Sequence, residues 1–426
     1  MREDFLHFIW KYKKLELADL KTTTNESIEI ISLGSHNKLA GPDFFNARLK
    51  IKDQLWAGNV EIHVNSSDWY VHGHEMDANY DNVILHVVWD DDVSVYRRDN
   101  SLIPTLELKN YISHELVESY KSLLNNKAIT FINCESELAK IDEFIFENWL
   151  ERLYFERLES KSALVVTLLE KYNNDWEQVL FSMLLRNFGS KINADSFLSI
   201  AHQLKFSTVR KVSANVNELE SLLFGLAGLL EDAKLDTYYL SLKKEYDYLR
   251  HKYGINNSGV LRPSFFKLRP PNFPTIRLSQ FANVYARHNN LFSKLIEAKS
   301  VEDIYSLFNV SASSYWSTHF NFEKTSKKSE KKLSKKFIDL VIINTILPLK
   351  FNYAKYLGKQ IDDEIVYIAT QIGAEQNSIV EKYKNLNIKI ANSAESQSIL
   401  QLYNEYCSKN KCLECAIGNS LLKGNN

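Results

Sequence analysis

Asp43, Glu61 and His63 carry the chemistry that stands out first in this chain. Asp43 follows Gly41-Pro42 and opens the apolar stretch DFFNARLKI. Glu61 and His63 lie two residues apart in AGNVEIHV, so a strand there puts them on one face. Two acids at the ends of neighbouring strands can hold a hard divalent cation such as magnesium or manganese through oxygen ligands. Such a cation lowers the pKa of a bound water and neutralises charge on a phosphate. A polar group beside the pair, here His63, can orient or deprotonate that water. Six of the eleven histidines lie in the first 90 residues, among them His72, His74 and His86. His72 and His74 with Asp77 form an HxH-plus-acid pattern that suits zinc or manganese. Their commoner meaning is a histidine-containing loop. His86 sits inside an apolar run and reads as a core histidine whose neighbours could aim it at the site.

The elements that must position these groups follow from periodicity. Residues 3–20 read as an amphipathic helix with Phe5, Phe8, Ile9, Tyr12 and Leu15 on one face. Ser27 to Leu33 alternates like a strand, and residues 43–51 and 57–64 read as two more, with Asp53-Gln54 as a tight turn. In the third strand Val60, Ile62 and Val64 take one face and Asn59, Glu61 and His63 the other. A short helix capped at Ser66 or Ser67 is expected next. Val83 to Trp89 is almost wholly apolar and predicts a buried central strand. Residues 102–108 add another. From about Asp142 the spacing is helical almost to the end. The division expected is an α/β domain over 1–135 and a helical domain over 136–426.

The order helix–strand–strand–strand–helix–strand, with Gly-Pro-Asp43 and Glu61-Ile62-His63, resembles the active-site signature and αβββαβ core of the PD-(D/E)xK nuclease superfamily. The resemblance covers about the first 90 residues. It implies a restriction-endonuclease-like core with Asp43 and Glu61 as magnesium ligands. It also implies an acid on the first helix, for which Glu3 and Glu16 are the candidates. His63 stands where that superfamily carries a lysine, which leaves the metal pair intact and changes the third group. The chain as a whole is identified as a member of the bacterial domain-of-unknown-function family number 2851. The stretches GPDFFNARLKI, WAGNVEIHVNSSDWYVHGHEMDANYDNVILHVVWDDD, LRPPNFPTIRL and CLECAIG carry that resemblance. It implies no activity.

Two further groups bear on function. Cys407, Cys412 and Cys415 crowd the C-terminus, with Cys134 far upstream. Four thiolates in that spacing suffice for a structural zinc or a four-iron cluster, and the arrangement is similar to iron–sulfur staples in some nucleases of the superfamily. The segment LRPSFFKLRPPNFPTIRL holds four of the seven prolines together with Arg262, Lys267, Arg269 and Arg277. Arginines read phosphate bidentately and interleaved aromatics stack bases, so it is a candidate nucleic-acid contact. Its commoner meaning is a rigid connector. Residues 323–336 hold seven lysines and two glutamates, another candidate phosphate grip or a solvated face.

Composition narrows the classes. Gly (13) and Pro (7) are too scarce for a collagen-like or disordered chain and favour long helices. Four cysteines in 426 residues exclude a disulfide scaffold. The start lacks the apolar core of an export signal, so a reducing cytoplasmic location is expected. Ile338 to Leu349 is the most apolar stretch, and Asp339, Asn344 and Pro348 interrupt it, which argues against a membrane span. Residues 1–135 hold 14 Lys/Arg against 21 Asp/Glu, a charge of −7, which leaves +6 for the rest. An acidic front and a basic back suit a metal site beside a polyanion-binding surface. No P-loop, dinucleotide fingerprint, nucleophile elbow or HExxH is present. The expected function is therefore a metal-dependent nuclease or a nucleic-acid-binding descendant of one. The alternatives are a non-catalytic scaffold on a degenerate nuclease fold and a histidine-rich metal enzyme acting on a small substrate.

Overall fold

A computed structural model describes residues 1–125 and 131–422. Residues 126–130 and 423–426, which belong to the two expected domain spans, lie outside the described residues. The chain divides into two compact units, one formed by Met1–Trp149 with Leu402–Asn426 and the other by Leu150–Gln401. The first is mixed α/β and the second is helical. The C-terminal cysteine segment thus belongs with the α/β unit, whereas sequence order had placed it in the helical domain. Sequence adjacency does not reveal this return of the chain.

The α/β unit opens with α1, Glu3–Lys11, which buries Phe5, Leu6, Phe8, Ile9 and Trp10. The helix is shorter than the pattern over 3–20 predicts. Lys13 adopts a left-handed φ of 52°, and the chain leaves the helical path there. Leu15 still points inward, so the apolar periodicity outlasts the helix. A mixed sheet follows: β1 (Ile28–Ser32), β2 (Ser35–His36), β3 (Phe44–Ile51), β4 (Gln54–Asn65), β5 (Val83–Asp90) and β6 (Thr105–Glu107). The strand order is β1-β3-β4-β5-β6, with β2 paired to β3. β1, β3 and β4 are antiparallel, whereas β4, β5 and β6 run parallel. Ile51 pairs with Gln54, so the β3–β4 turn is Lys52-Asp53, one residue earlier than expected.

The parallel half accounts for the burial. β5 is covered on both edges, and six successive residues from Val83 to Val88 are buried, as a central strand requires. In β4 the expected alternation fails over Val60–His63, where four consecutive residues are buried. Helix α1 packs on this strand, as does the short α2, Asp68–Val71. Polar groups on β4 therefore enter the interior. Ser67 is the N-cap of α2, within the expected pair, but its side chain makes no capping bond. The Ser66 hydroxyl donates to Asp92 Oδ1 and the Ser67 hydroxyl to Asp92 Oδ2, both at 2.8 Å.

In the helical unit the run of lysines over 323–336 is not a helix. It begins in a hairpin (β7, His319–Asn321, and β8, Lys324–Thr325) and continues as irregular chain until a helix starts at Lys335. Lys335–Tyr356 is the single helix among the described residues long and apolar enough to cross a membrane, and 67% of its apolar window is buried within the protein. It contains a π-helical stretch, Ile342–Ile346, just before Pro348. Proline has no N–H to offer the preceding turn, and the wider turn absorbs that loss.

Candidate metal centre

The loop before β3 delivers Asp43. The Asn37 side-chain amide lies 3.1 Å from both the Leu39 and Pro42 carbonyl oxygens, which folds residues 37–42 into a compact turn. Asp43 and Glu61 are then tied crosswise. The Asp43 N–H donates to Glu61 Oε2 at 3.1 Å, and the Ile62 N–H donates to Asp43 Oδ2 at 3.0 Å. α1 adds two groups one turn apart on the same face, Glu3 and His7. His7 Nε2 lies 3.1 Å from Asp43 Oδ2 and 3.7 Å from Glu3 Oε1. Of the two acids expected on the first helix, Glu3 reaches the site, whereas Glu16 lies beyond the helix end and is exposed.

On the far side of Glu61 is a cluster of imidazoles. Glu61 Oε1 is 3.3 Å from His74 Nε2 and 3.6 Å from His63 Nε2. His63 Nε2 is 3.1 Å from His72 Nδ1, and its other nitrogen, Nδ1, is 2.8 Å from His86 Nε2. The parallel register pairs Glu61 with His86, which brings His86 diagonally beside His63. His72 and His74 arrive from the turn after α2 through Gly73, whose φ of 71° reverses the chain between them. Tyr80 stacks on His74 with ring centroids 3.7 Å apart, and Trp69 meets the same ring edge-on. Asp77 is not part of the cluster; its carboxylate caps a turn by accepting from the Asn79 N–H. The loop histidines therefore join the site and their acidic neighbour does not.

Burial is the largest influence on the electrostatics of these groups. Burial, then the nearby Asp43 carboxylate, pushes Glu61 up to about 9. Burial likewise raises Glu3. Burial and the neighbouring His74 and His72 push His63 down to about 3. His74 is lowered, chiefly by burial, and His86 well below its ordinary value for the same reason. His7 goes the other way. Burial pulls it down, but Asp43, Glu3 and Glu61 together outweigh that and raise it. Among the described residues, two groups of three donors lie within 4.8 Å of one another: Glu3 with His7 and Asp43, and His63 with His72 and His74. His7 carries no motif in the sequence. The only sign of it is its i,i+4 spacing from Glu3.

A cavity of about 300 Å³ adjoins His7 and His36. Its walls carry Arg2, Lys11, Lys38, Lys409 and Lys411 against Asp4 and Glu414, so its net charge is positive. The cysteines meet elsewhere in the same unit. Cys134, Cys407, Cys412 and Cys415 line one small apolar cavity. Burial raises Cys134, Cys412 and Cys415, the last to about 11. A Cβ at Gly418 would fall 2.1 Å from the Cys412 carbonyl oxygen, so glycine is required for the cysteine turn to close on the last helix.

The other sequence candidates belong to the helical unit. Arg277 does not face solvent. It is 7% exposed, bonds Asn272 and Gln280, and lies 3.6 Å from the centroid of the Phe337 ring. Its interior setting makes it a packing residue. Arg262 lies within 4 Å of Glu231 and Asp232. Lys267, over the Phe266 ring, and Arg269 are exposed. Nothing in the structure draws these four cations to one point.

A sequence model of the family described as Protein of unknown function (DUF2851) matches residues 3–378. No curated protein and no solved structure matches the chain.

Proposed function

For a chain that belongs to the DUF2851 family, we propose a metal-dependent phosphodiesterase that cleaves nucleic acid. One observation carries the reading: two acids, the buried Glu61 and the half-buried Asp43, are cross-tied beside a third acid and a histidine, and among the described residues no lysine or arginine pairs with them. Acids brought together out of water are expensive unless a cation joins them. The sequence of elements around them supports a restriction-endonuclease-like core, with an antiparallel trio, a short helix and a strand parallel to the third.

Asp43 and Glu61 would hold the cation, with Glu3 and His7 completing an oxygen-rich set that suits magnesium or manganese. When bound, that ion supplies an activated water and neutralises charge on the phosphate. The chain's own residues do the rest. The backbone bonds between β3 and β4 fix the two carboxylates. The basic cavity beside His7 binds flanking phosphates. His63, pushed down to about 3, is too weak a base to take a proton efficiently at neutral pH, so its role is orientation or ligation. The four thiols would hold a structural group that pins the C-terminal segment. Among the described residues they are not one of the donor groups packed within 4.8 Å. Four cysteines lining one cavity suit a structural zinc or an iron–sulfur cluster.

The test is a cleavage assay on labelled single- and double-stranded DNA and RNA with magnesium or manganese. The Asp43→Ala/Glu61→Ala double variant is the control. Cleavage should fall at least about 10³-fold in the variant and stop on chelation. Cleavage that survives chelation or the double substitution overturns the proposal. Binding without cleavage by folded, metal-loaded protein points to a non-catalytic nucleic-acid-binding protein instead.

A further inference from the structure

We infer that Glu61, His63, His72 and His74 form a second, tetrahedral site for a zinc-type transition-metal ion, next to the oxygen-rich set and sharing Glu61 with it. The inference deepens the metal-dependent reading above and rests on it only for the neighbouring ion. The geometry is the first argument. Two ligands each ~2.0 Å from one tetrahedral zinc lie roughly 3.3 Å apart. The separations here are 3.1 Å for His63 Nε2 to His72 Nδ1, 3.3 Å for Glu61 Oε1 to His74 Nε2, and 3.6 Å for Glu61 Oε1 to His63 Nε2. The three imidazole donors also lie within 4.8 Å of one another. These are three of a tetrahedron's six edges, each of the right size, from groups that come from β4 and from the turn after α2.

The second argument is the supporting shell. His63 Nδ1 is engaged by His86 Nε2, and His86 is fully buried. If His63 donates there, its Nε2 presents a lone pair to the centre, as a ligand must. Tyr80 and Trp69 fix the His74 ring from its face and edge.

The third argument is chemical contrast. Glu61 Oε2 accepts from the Asp43 N–H while Oε1 faces the histidines, so one carboxylate divides its oxygens between two donor sets. The set with Glu3 and Asp43 is oxygen-rich and hard; the set with three imidazoles suits zinc or a similar ion. Adjacent ions of this kind clamp both oxygens of a displaced phosphodiester.

The experiment uses full-length protein stripped with chelator and reloaded with zinc or cobalt(II). The His72→Ala/His74→Ala variant, with every cysteine and acid in place, should hold one zinc equivalent fewer per chain. It should also lose the visible cobalt bands that these histidines contribute, while any thiolate bands remain. Asp43→Ala should keep that equivalent. Cobalt-loaded parent protein should show hyperfine-shifted, solvent-exchangeable imidazole N–H signals, which needs no variant to fold. Unchanged zinc stoichiometry in the double-histidine variant, or absence of those signals in the parent, overturns the site. Equal zinc loss in Asp43→Ala overturns its separateness. Cleavage is not a readout here, so a failed nuclease assay leaves this test standing, and the reverse holds too.

Discussion

Lys350 and Glu61 are both buried ionisable groups, and their surroundings are opposites. Lys350, in the helical unit, donates to the Ile296 and Ala298 carbonyl oxygens at 2.7 Å each and meets Glu364 at 2.8 Å. Glu220 in the same unit accepts from the Tyr238 and Ser313 hydroxyls. These groups have complementary partners and serve the fold. Glu61, in the α/β unit, has Asp43 on one side and imidazoles on the other. There acid lies beside acid and imidazole beside imidazole, as well as acid beside imidazole. Burial by itself therefore says little about function. The informative sign is a buried cluster of ligand-type groups, which the proposed metal reading uses.

The largest expected effect is on the structural side of this contrast. Lys350→Ala strands several carbonyl oxygens and the Glu364 carboxylate. It should destabilise the helical unit by about 3–5 kcal/mol, read from urea unfolding followed by a probe in that unit. A loss below 1 kcal/mol would erase the distinction drawn here.

On the other side the sign reverses. In chelator-treated protein Glu61→Gln should stabilise, by on the order of 2 kcal/mol at pH 8. Glu61 is raised from 4.5 to about 9, so between those values the folded state holds a proton that the unfolded state has released, and stability falls as pH rises. His63 is lowered from 6.5 to about 3, so between those values the unfolded state holds the extra proton, and stability falls as pH drops. The two slopes oppose each other between about 4.5 and 6.5. The metal-free protein should be most stable there and weaken on either side, and Glu61→Gln should flatten the alkaline limb alone. Thermal unfolding across pH 4–9 measures both limbs. An unchanged alkaline slope in the variant would refute the assignment.

Gly73→Ala probes the turn that makes the histidines converge. Open space surrounds the position, and the φ of 71° is what an alanine would have to adopt. The expected loss is about 1 kcal/mol, with weaker zinc retention. A variant equally stable and equally good at holding zinc would show that the turn does not set the cluster.

Much of the α/β unit was legible because its signals are local. Alternation marked β1 and β3, the apolar run marked β5, and β4 placed Glu61 and His63 two residues apart. The Asp43–Glu61 pair was legible because a short hairpin fixes its register. The rest depends on contacts distant in sequence or on single backbone angles. His7 reaches Asp43 across 36 positions of chain, from a helix whose pattern advertises only its apolar face. His72 and His74 converge through one left-handed glycine, which no periodicity records. Arg277 looked like a phosphate ligand because composition shows charge and conceals burial. The lysine run, within the stretch whose spacing reads as helical, is irregular because a set of lysines fits a helix face as readily as irregular chain.

The smallest expected effect separates binding from folding on one surface. Lys38 lines the basic cavity and pairs with Glu414 at 3.3 Å, with its side chain 67% exposed. An exposed pair of this kind contributes little to stability, so Lys38→Ala should shift it by less than ~0.5 kcal/mol. On the proposed reading its positive charge neutralises a phosphate whether or not it shapes the fold. Nucleic-acid affinity should therefore weaken to a similar extent for every sequence tested, and the slope of log affinity against log salt should shrink by about 1. Fluorescence anisotropy at several salt concentrations reads both quantities. An unchanged slope would place the phosphate path away from this cavity, while an unchanged stability would hold the contrast with Lys350, where the same residue type is buried and complemented.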